Sequence, residues 1–459
     1  MQKTILKKII ESKELWIKEQ KKTLPLSEIK QNIKNSNRNF YSAIKNIHPA
    51  FIFEFKKSSP SSGILNKNFD LFKISSMYRK YASAVSVVTD EKFFQGNFEY
   101  IPIIRSYLNQ PILCKDFFID PYQIYLARYY KSDAILLMLS ILEDNQYLIL
   151  SNIAKSMNMS VLTEINNEKE LKRAIKLNAS IIGINNRNLN DFSIDINTTK
   201  NLSKKIPKSK ILISESGINN YNQIRELSEL VDGFLIGTHV MSSLQPEYAI
   251  RSLIFGNNKV CGLTRIKDAK RAYQAGSIYG GLIFCENSIR KINEITAKNI
   301  IDHENKLKFI GVFCNNSIDY ISKITKNLSL FGIQLHGNES QEYIKNLIRK
   351  IPKKTKIWKA FKIDKIIPDL NWKLVSSYVL DHKNGGGTGK TFDWSLLNND
   401  KNQYLKNVIL SGGINPKNCF LASTMGCSGL DLNSGIEKKP GIKDKNKIKL
   451  VFKIIREYQ

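Results

Sequence analysis

The chain has 459 residues, 42% hydrophobic and 24% charged, the proportions of an ordinary globular protein with room for two sizeable domains. No stretch approaches the ~18 consecutive apolar residues of a membrane-spanning helix, and the N-terminal MQKTILKKIIESKELW reads as an amphipathic helix, not a signal peptide, which points to the cytoplasm and to no membrane partner. The net charge of +29 comes from lysines spread along the whole chain beside abundant Asn and Ile; this reads as a solvated surface that attracts anionic substrates, with no nucleic-acid partner.

Residues 1 to about 50 precede the first strand and look like helices added to a barrel. Eight short β-branched runs then recur, each ending in polar residues or glycine: FIFEF (51–55), AVSVVTD (84–90), PILCKDF (111–117), AILLML (134–139), VLTEI (161–165), IIGINNR (181–187), ILISESG (211–217) and GFLIGT (233–238). Segments with helical apolar spacing, such as DLFKISSMYRKYAS and EKELKRAIKLNA, lie between them. Near-continuous apolar strands alternating with helices predict a parallel sheet covered by helices, and eight units predict closure into a (β/α)8 barrel.

The pattern restarts after FGNN (255–258) with KVCGL (259–263), YGGLIF (279–284), FIGVF (309–313), GIQLHG (332–337), IWKAF (357–361), SYVLD (377–381), NVILSGG (407–413) and GLDLNS (429–434). The predicted fold is therefore α/β, two tandem (β/α)8 barrels over residues 1–256 and 257–459, the first with an N-terminal helical extension.

Barrel chemistry sits at the C-terminal ends of the strands. In the first half Glu54, Lys56, Lys115, Glu164, Asn185, Arg187 and Glu215 all fall there. Ionised groups are costly to desolvate unless they pair with one another or with a ligand. Salt bridges closing the barrel mouth would need two or three pairs, whereas seven polar groups on several different strands fit a binding pocket better. Loops after the seventh and eighth strands commonly hold phosphate on backbone N–H groups. The candidates are Ser216-Gly217 and Gly237-Thr238 in the first half, and Gly412-Gly413 and Asn433-Ser434 in the second. The six cysteines and five histidines form no CxxC, HxxxH or HExxH arrangement, so neither a metal site nor a disulfide framework is expected.

Residues 52–63 (IFEFKKSSPSSG), 114–124 (CKDFFIDPYQI), 162–165 (LTEI), 183–189 (GINNRNL) and 214–218 (SESGI) resemble, in order, the signatures of the indole-3-glycerol-phosphate synthase family. KVCGLTR (259–265), QLHG (334–337), YVLD (378–381), GGTGKTFDW (386–394) and LDLNSGIE (430–437) resemble those of phosphoribosylanthranilate isomerases. Synthase followed by isomerase is the order of the fused bacterial enzyme, and the likeness spans essentially the whole chain.

The resemblance implies two consecutive steps of tryptophan biosynthesis. The second barrel would convert N-(5-phosphoribosyl)anthranilate to 1-(2-carboxyphenylamino)-1-deoxyribulose 5-phosphate by an Amadori rearrangement. The first would close that product to indole-3-glycerol phosphate with loss of CO₂ and water. No cofactor is implied, and the partners would be these phosphorylated anthranilate–ribose molecules, handled by a monomer.

In the synthase, Lys115 is assigned as general acid on the argument that partial desolvation lowers its pKa. Glu164 would take and return protons in the dehydration. Glu54 and Lys56, two apart on one strand face, would hold each other charged, with Lys56 also near the substrate carboxylate or phosphate. Arg187 suits the anthranilate carboxylate, while Asn185, counted with the catalytic set, and Glu215 suit hydroxyls. Phe94 and Phe117 would pack on the aromatic ring, core packing being the plain alternative, and Ser59 and Ser216 join the phosphate and substrate groups. In the isomerase the family likeness makes Cys261 the general base and Asp381 the general acid. Arg290 would anchor the carboxylate, Gln334 and His336 are pocket candidates, and Gly387 and Gly389 would add phosphate-binding amides.

Three positions depart from the families. Ile289 stands where proline usually precedes Arg290, Thr238 where serine is common, and Ser62 where lysine is frequent. NGGGTGKT (384–391) nearly satisfies the GxxxxGK[ST] of a P-loop hydrolase, but Asn384 replaces the first glycine and TFDW does not continue as an amphipathic helix. That rival, and a basic nucleic-acid-binding protein, are the alternative readings.

Overall fold

The computed structural model describes residues 5–188, 191–383, 389–398 and 402–457. Contacts divide the chain into two compact units, residues 1–219 with 223–250, and 251–459 with 220–222. Each unit contains one closed ring of eight parallel strands.

In the first unit the ring comprises β1 (Ala50–Phe55), β2 (Ala84–Val88), β3 (Ile112–Lys115), β4 (Ala134–Met138), β5 (Ser160–Ile165), β6 (Ile181–Asn185), β7 (Ile211–Glu215) and β8 (Gly233–Ile236). Strand β1 pairs with both β2 and β8 and so closes it. All eight predicted strands are present, several ending earlier than the apolar runs do. The polar tails, such as Thr89-Asp90 after β2 and Asn186-Arg187 after β6, leave the ladder and enter the loops.

The two-residue alternation of a strand explains the interior. On β1, Ala50 and Ile52 point into the barrel core, while Phe53 and Phe55 face outward and pack on Tyr78 of helix Leu71–Tyr81, with ring centroids 5.3 and 4.9 Å apart. The next inward position is Glu54. The same step from an apolar to a polar inward residue occurs at Leu113 to Lys115, Leu162 to Glu164 and Ile213 to Glu215. A dry lower layer thus supports a polar upper one.

The extension forms α1 (Ile5–Thr23), α2 (Leu26–Asn32) and α3 (Phe40–Lys45). Phe40 and Ile44 of α3 are fully buried in the same cluster as the strand residues, plugging the barrel interior. Helix α1 sends Lys13 between Asp90 and Asp116, at 2.8 and 2.7 Å, binding it to the loops that follow β2 and β3.

The second ring comprises β9 (Lys259–Val260), β10 (Tyr279–Ile283), β11 (Lys308–Phe313), β12 (Gly332–Leu335), β13 (Lys356–Ile363), β14 (Ser377–His382), β15 (Val408–Leu410) and β16 (Gly429–Leu432), closed by β9 pairing with β10 and β16. Its core is Ile310, Trp358, Ala360, Val379 and Ile409. The final helix, Lys445–Glu457, buries Ile448, Val451, Phe452 and Ile455, the i, i+3, i+4, i+7 stripe of a helix laid on a barrel. Two short hairpins were not expected from the sequence: Ser58–Ser59 with Gly63–Ile64, and Glu437–Lys439 with Ile442–Lys443.

Candidate active site

The mouth of the first barrel holds a cavity of about 400 Å³. Every residue selected for this barrel lines it: Glu54, Lys56, Ser59, Phe94, Lys115, Phe117, Glu164, Asn185, Arg187, Glu215, Ser216, Gly217, Gly237 and Thr238. Lys56 Nζ meets Glu54 Oε1 at 2.7 Å. Lys115 Nζ lies 3.3 Å from Glu164 Oε2 and 3.6 Å from Glu215 Oε2, and Asn185 Nδ2 donates to Glu164 Oε1 at 3.1 Å.

These contacts set the charge states. Burial alone would raise the Glu54 pKa, but Lys56 and Lys115 more than offset it and hold the carboxyl below its usual range. Lys115 corrects the sequence expectation. Burial does pull its pKa down, yet Glu164, Glu215 and Glu54 surround the ammonium and the net direction is up. Glu215 is pushed up to about 8, by burial first, with Glu164 and Glu54 adding to it against Lys115. Near neutrality it is largely a protonated acid, able both to donate to and to accept from a hydroxyl.

Phe94 and Phe117 are half-buried, 6.1 Å apart between ring centroids, and line the cavity, while Phe117 also packs against the barrel core. Arg187 donates through Nη1 to Phe192 O at 3.0 Å, and Ile194 and Phe192 also line the cavity. Ser216 and Gly217 both have positive φ, +66° and +83°. Ser59 Oγ is buried with no hydrogen-bond partner among the described residues, an orphan donor that an anion would satisfy. Gly183, the first residue of the GINNRNL segment, stands where a Cβ would overlap Glu215 Oε1, so a side chain there would displace that carboxyl.

In the second barrel a buried polar chain crosses the interior. Lys259 Nζ donates to Asp431 Oδ2 at 2.6 Å and to Gln334 Oε1 at 2.7 Å. Gln334 Nε2 lies 2.9 Å from His336 Nδ1, and His336 Nε2 lies 3.6 Å from Asp381 Oδ2. Burial pushes the His336 pKa down to about 4, Lys259 adding to the effect, so the ring is neutral. Burial pushes the Asp381 carboxyl up to about 6, and it pushes the Cys261 thiol up while Lys259 and Lys443 oppose it. Cys261 is 4% exposed and packs with Ile283, Val312 and Cys285. Cys285 packs against this apolar cluster as a partly buried core residue beside Cys261.

Arg290 is buried and engages Glu437 through Nε at 3.0 Å and Nη2 at 2.8 Å; Ile289 beside it is exposed. Lys443 Nζ joins the same carboxylate at 2.7 Å and Asn433 Oδ1 at 2.8 Å. Gly389, Gly412 and Gly413 all have positive φ, and a Cβ on Gly413 would meet Gly389 O at 2.7 Å, so these two loops adjoin. A Cβ on Gly435 would overlap Ile414 O, which brings the Asn433-Ser434 turn to the same place. Gly387 lies outside the described residues, as does most of the P-loop-like run. After that run comes a 3-10 turn, Trp394–Asn398, in place of the α-helix a P-loop requires.

Lys259, Asp431, Lys443 and Glu437 were missed in the sequence. A signal for the first two existed: Lys259 is two residues before Cys261 and Asp431 two before Asn433, which puts a charge on the inward face below a site residue. Among the described residues no group of three His, Cys, Asp or Glu side chains could hold a metal ion.

The chain matches the indole-3-glycerol phosphate synthase family over residues 6–253 and the N-(5'-phosphoribosyl)anthranilate isomerase family over residues 258–454. It is 59% identical over 453 residues to the tryptophan biosynthesis protein TrpCF of Buchnera aphidicola subsp. Schizaphis graminum, covering 99% of each chain. It is 48% identical over 456 residues to the protein of that name from Yersinia pestis, covering 99% of this chain and 95% of that one. Among solved structures, phosphoribosylanthranilate isomerase from Thermotoga maritima is 30% identical, covering 44% of this chain and 98% of its own, with a TM-score of 0.38.

Proposed function

We infer the residue roles below from one premise: the chain belongs to the bacterial tryptophan-biosynthesis family that joins an indole-3-glycerol phosphate synthase to a phosphoribosylanthranilate isomerase. It carries out two successive steps on phosphorylated small molecules. The C-terminal barrel isomerises N-(5-phosphoribosyl)anthranilate, and the N-terminal barrel closes the product to indole-3-glycerol phosphate. We set the boundary between residues 256 and 257, after helix Pro246–Phe255 and before β9.

For the isomerase, Asp381 protonates the ribose ring oxygen as the C1–O bond breaks. Cys261 then removes the C2 proton, and the resulting enol becomes the ketone. An Asp381 pKa of about 6 supports the acid role, because an appreciable fraction stays protonated near neutrality. Arg290 uses two donors on Glu437, which fixes the guanidinium plane and leaves its Nη1 edge for the anthranilate carboxylate. Amides around Gly389, Gly412, Gly413 and Ser434, with Asn433, receive the phosphate, and Gly387 is assigned there as well.

For the synthase, Lys115 polarises the ketone as the anthranilate ring carbon attacks. Its raised pKa does not disqualify it, since the alkoxide formed is a stronger base than any amine. Loss of CO₂ follows, and Glu164 removes and returns protons as water leaves. Glu54 keeps Lys56 and Lys115 charged, Arg187 and Lys56 receive the carboxylate, and Asn185 and Glu215 bind hydroxyls. Phe94 and Phe117 sandwich the ring edge, while Ser59, Ser216, Gly217, Gly237 and Thr238 hold the phosphate. The observation that carries this reading is the convergence of Glu54, Lys115, Glu164 and Glu215 from four strands on one cavity.

We further propose a cytoplasmic monomer that needs no cofactor, membrane or nucleic acid. No helix among the described residues is long and apolar enough to cross a membrane. The test is to supply phosphoribosylanthranilate and follow the indole product by ultraviolet absorbance. Cys261→Ala should block product from that substrate while leaving its formation from the isomerised intermediate intact. Loss of both routes in a folded variant would overturn the two-site assignment.

A further inference from the structure

The lysine buried beneath the isomerase site has no role in the steps above. We propose that Lys259, anchored by Asp431 and Gln334, is a positioning residue that stabilises the Cys261 thiolate and so sets the pH range in which the second barrel works. The proposal rests on the reading of Cys261 as the base.

A fully buried ammonium is costly and seldom kept without a partner. Lys259 is 0% exposed. Its ammonium has three donors, and two are spent on Asp431 Oδ2 at 2.6 Å and Gln334 Oε1 at 2.7 Å. The strand supplies the direction of the third, because Lys259 and Cys261 are two residues apart and share the inward face. A Cβ placed on Gly281 of the neighbouring strand would come within 2.7 Å of Cys261 Sγ and 2.8 Å of Lys259 Cε, so the two side chains press on the same space. Glycine at 281 is what lets them meet.

Of the other charges around the thiol, Lys443 acts in the same direction as Lys259 but more weakly. On the β16 side, Asp431 is an anion and disfavours a thiolate. Lys443, from the hairpin after β16, is a cation but is bound to Glu437 and Asn433. Arg290, from the loop after β10, spends its charge on that same Glu437. Cys285 is a second thiol on the β10 side, His336 on β12 is neutral, and Asp381 on β14 titrates near pH 6. Lys259 is left as the cation whose remaining proton faces the sulfur. Burial raises the Cys261 pKa and Lys259 is the largest opposing influence; Cys285 is pushed up to about 12 by burial, with Cys314, Cys261 and Glu339 adding to it.

The test is the pH dependence of iodoacetamide alkylation in the full chain, followed cysteine by cysteine through peptide masses, beside both activities. In the unmodified protein Cys261 should alkylate with a lower midpoint pH than Cys285, although Cys285 is the more exposed. Lys259→Met should raise the Cys261 midpoint by at least about one unit and lower isomerase kcat/KM at pH 7 by about tenfold or more, with synthase activity unchanged. Lys259→Arg, which keeps the charge, should restore most of both. Equal midpoints for Cys261 and Cys285 in the parent chain would overturn the proposal even if Lys259→Met failed to fold. So would an unmoved Cys261 midpoint in a folded Lys259→Met. Full isomerase activity in Cys261→Ala would instead remove the base assignment, while the alkylation profiles would still report what Lys259 does to the thiol.

Discussion

Replacing Lys115 by methionine removes the one cation shared by Glu164 and Glu215 while keeping the length of the side chain. Glu54 retains Lys56 at 2.7 Å, so the damage falls on two carboxyls that are 2% and 1% exposed. Breaking a buried pair by deleting one partner costs roughly 3–5 kcal/mol. The site can limit that cost by taking up a proton. Neutralising a carboxyl costs about 1.36 kcal/mol per pH unit above its solution pKa of about 4.3, which is about 4 kcal/mol at pH 7 and about 1 kcal/mol at pH 5. Glu215, already raised to about 8, contributes little to this, since it is largely protonated in the parent. The sign follows from linkage: the variant's folded state binds a proton that its unfolded state has lost, so its deficit grows as pH rises from 5 to 7. Thermal unfolding at the two pH values should show a larger loss at pH 7. Synthase turnover, measured from the isomerised intermediate, should fall about 10²- to 10⁴-fold, the usual contribution of a general acid. Isomerase activity in the same chain is the internal control. A synthase loss below tenfold, a stability deficit indifferent to pH, or a collapse of both activities in a folded variant would refute this reasoning.

The isomerase kcat/KM should rise with pH up to about 6 and then level off, because above that point the proton lost by Asp381 offsets the thiolate gained by Cys261, whose thiol burial pushes up; Asp381→Asn should remove that break and leave a low profile that keeps rising with pH. Lys13→Met should lower the first barrel's melting temperature and its stability by roughly 3–5 kcal/mol, since Asp90 and Asp116 would lose an ammonium held at 2.8 and 2.7 Å. Differential scanning calorimetry with both activities measured would detect it.

The sixteen strands were legible because a barrel strand is buried on both faces and shows as a short β-branched run, and because Glu54, Lys115, Glu164 and Glu215 interrupt those runs where water begins. The charge state of Lys115 was not legible. It depends on three carboxylates brought in by other strands, and sequence supplies only the burial that works against it. Arg290 was visible as a cation, but its partner Glu437 lies on a hairpin 147 residues away with no periodicity to mark it. Lys259 was overlooked for a different reason: it stands at the start of its strand, away from the C-terminal ends where barrel chemistry is expected, and only the inward face it shares with Cys261 two residues on points to it. Gly183 carried no chemical signal, and only the Glu215 carboxyl packed against it shows what a side chain there would displace.

The plug that α3 inserts into the first barrel has a consequence for how the chain is made. Phe40 and Ile44 leave the ribosome long before the wall they fill exists, because β1 acquires its second neighbour only when Gly233–Ile236 has been synthesised. At ~5–20 residues per second that wait lasts on the order of ten to forty seconds. Throughout it a greasy N-terminal segment and an unpaired strand edge are open to mispairing, which makes nascent chains, not finished molecules, the vulnerable population during rapid expression or heat stress.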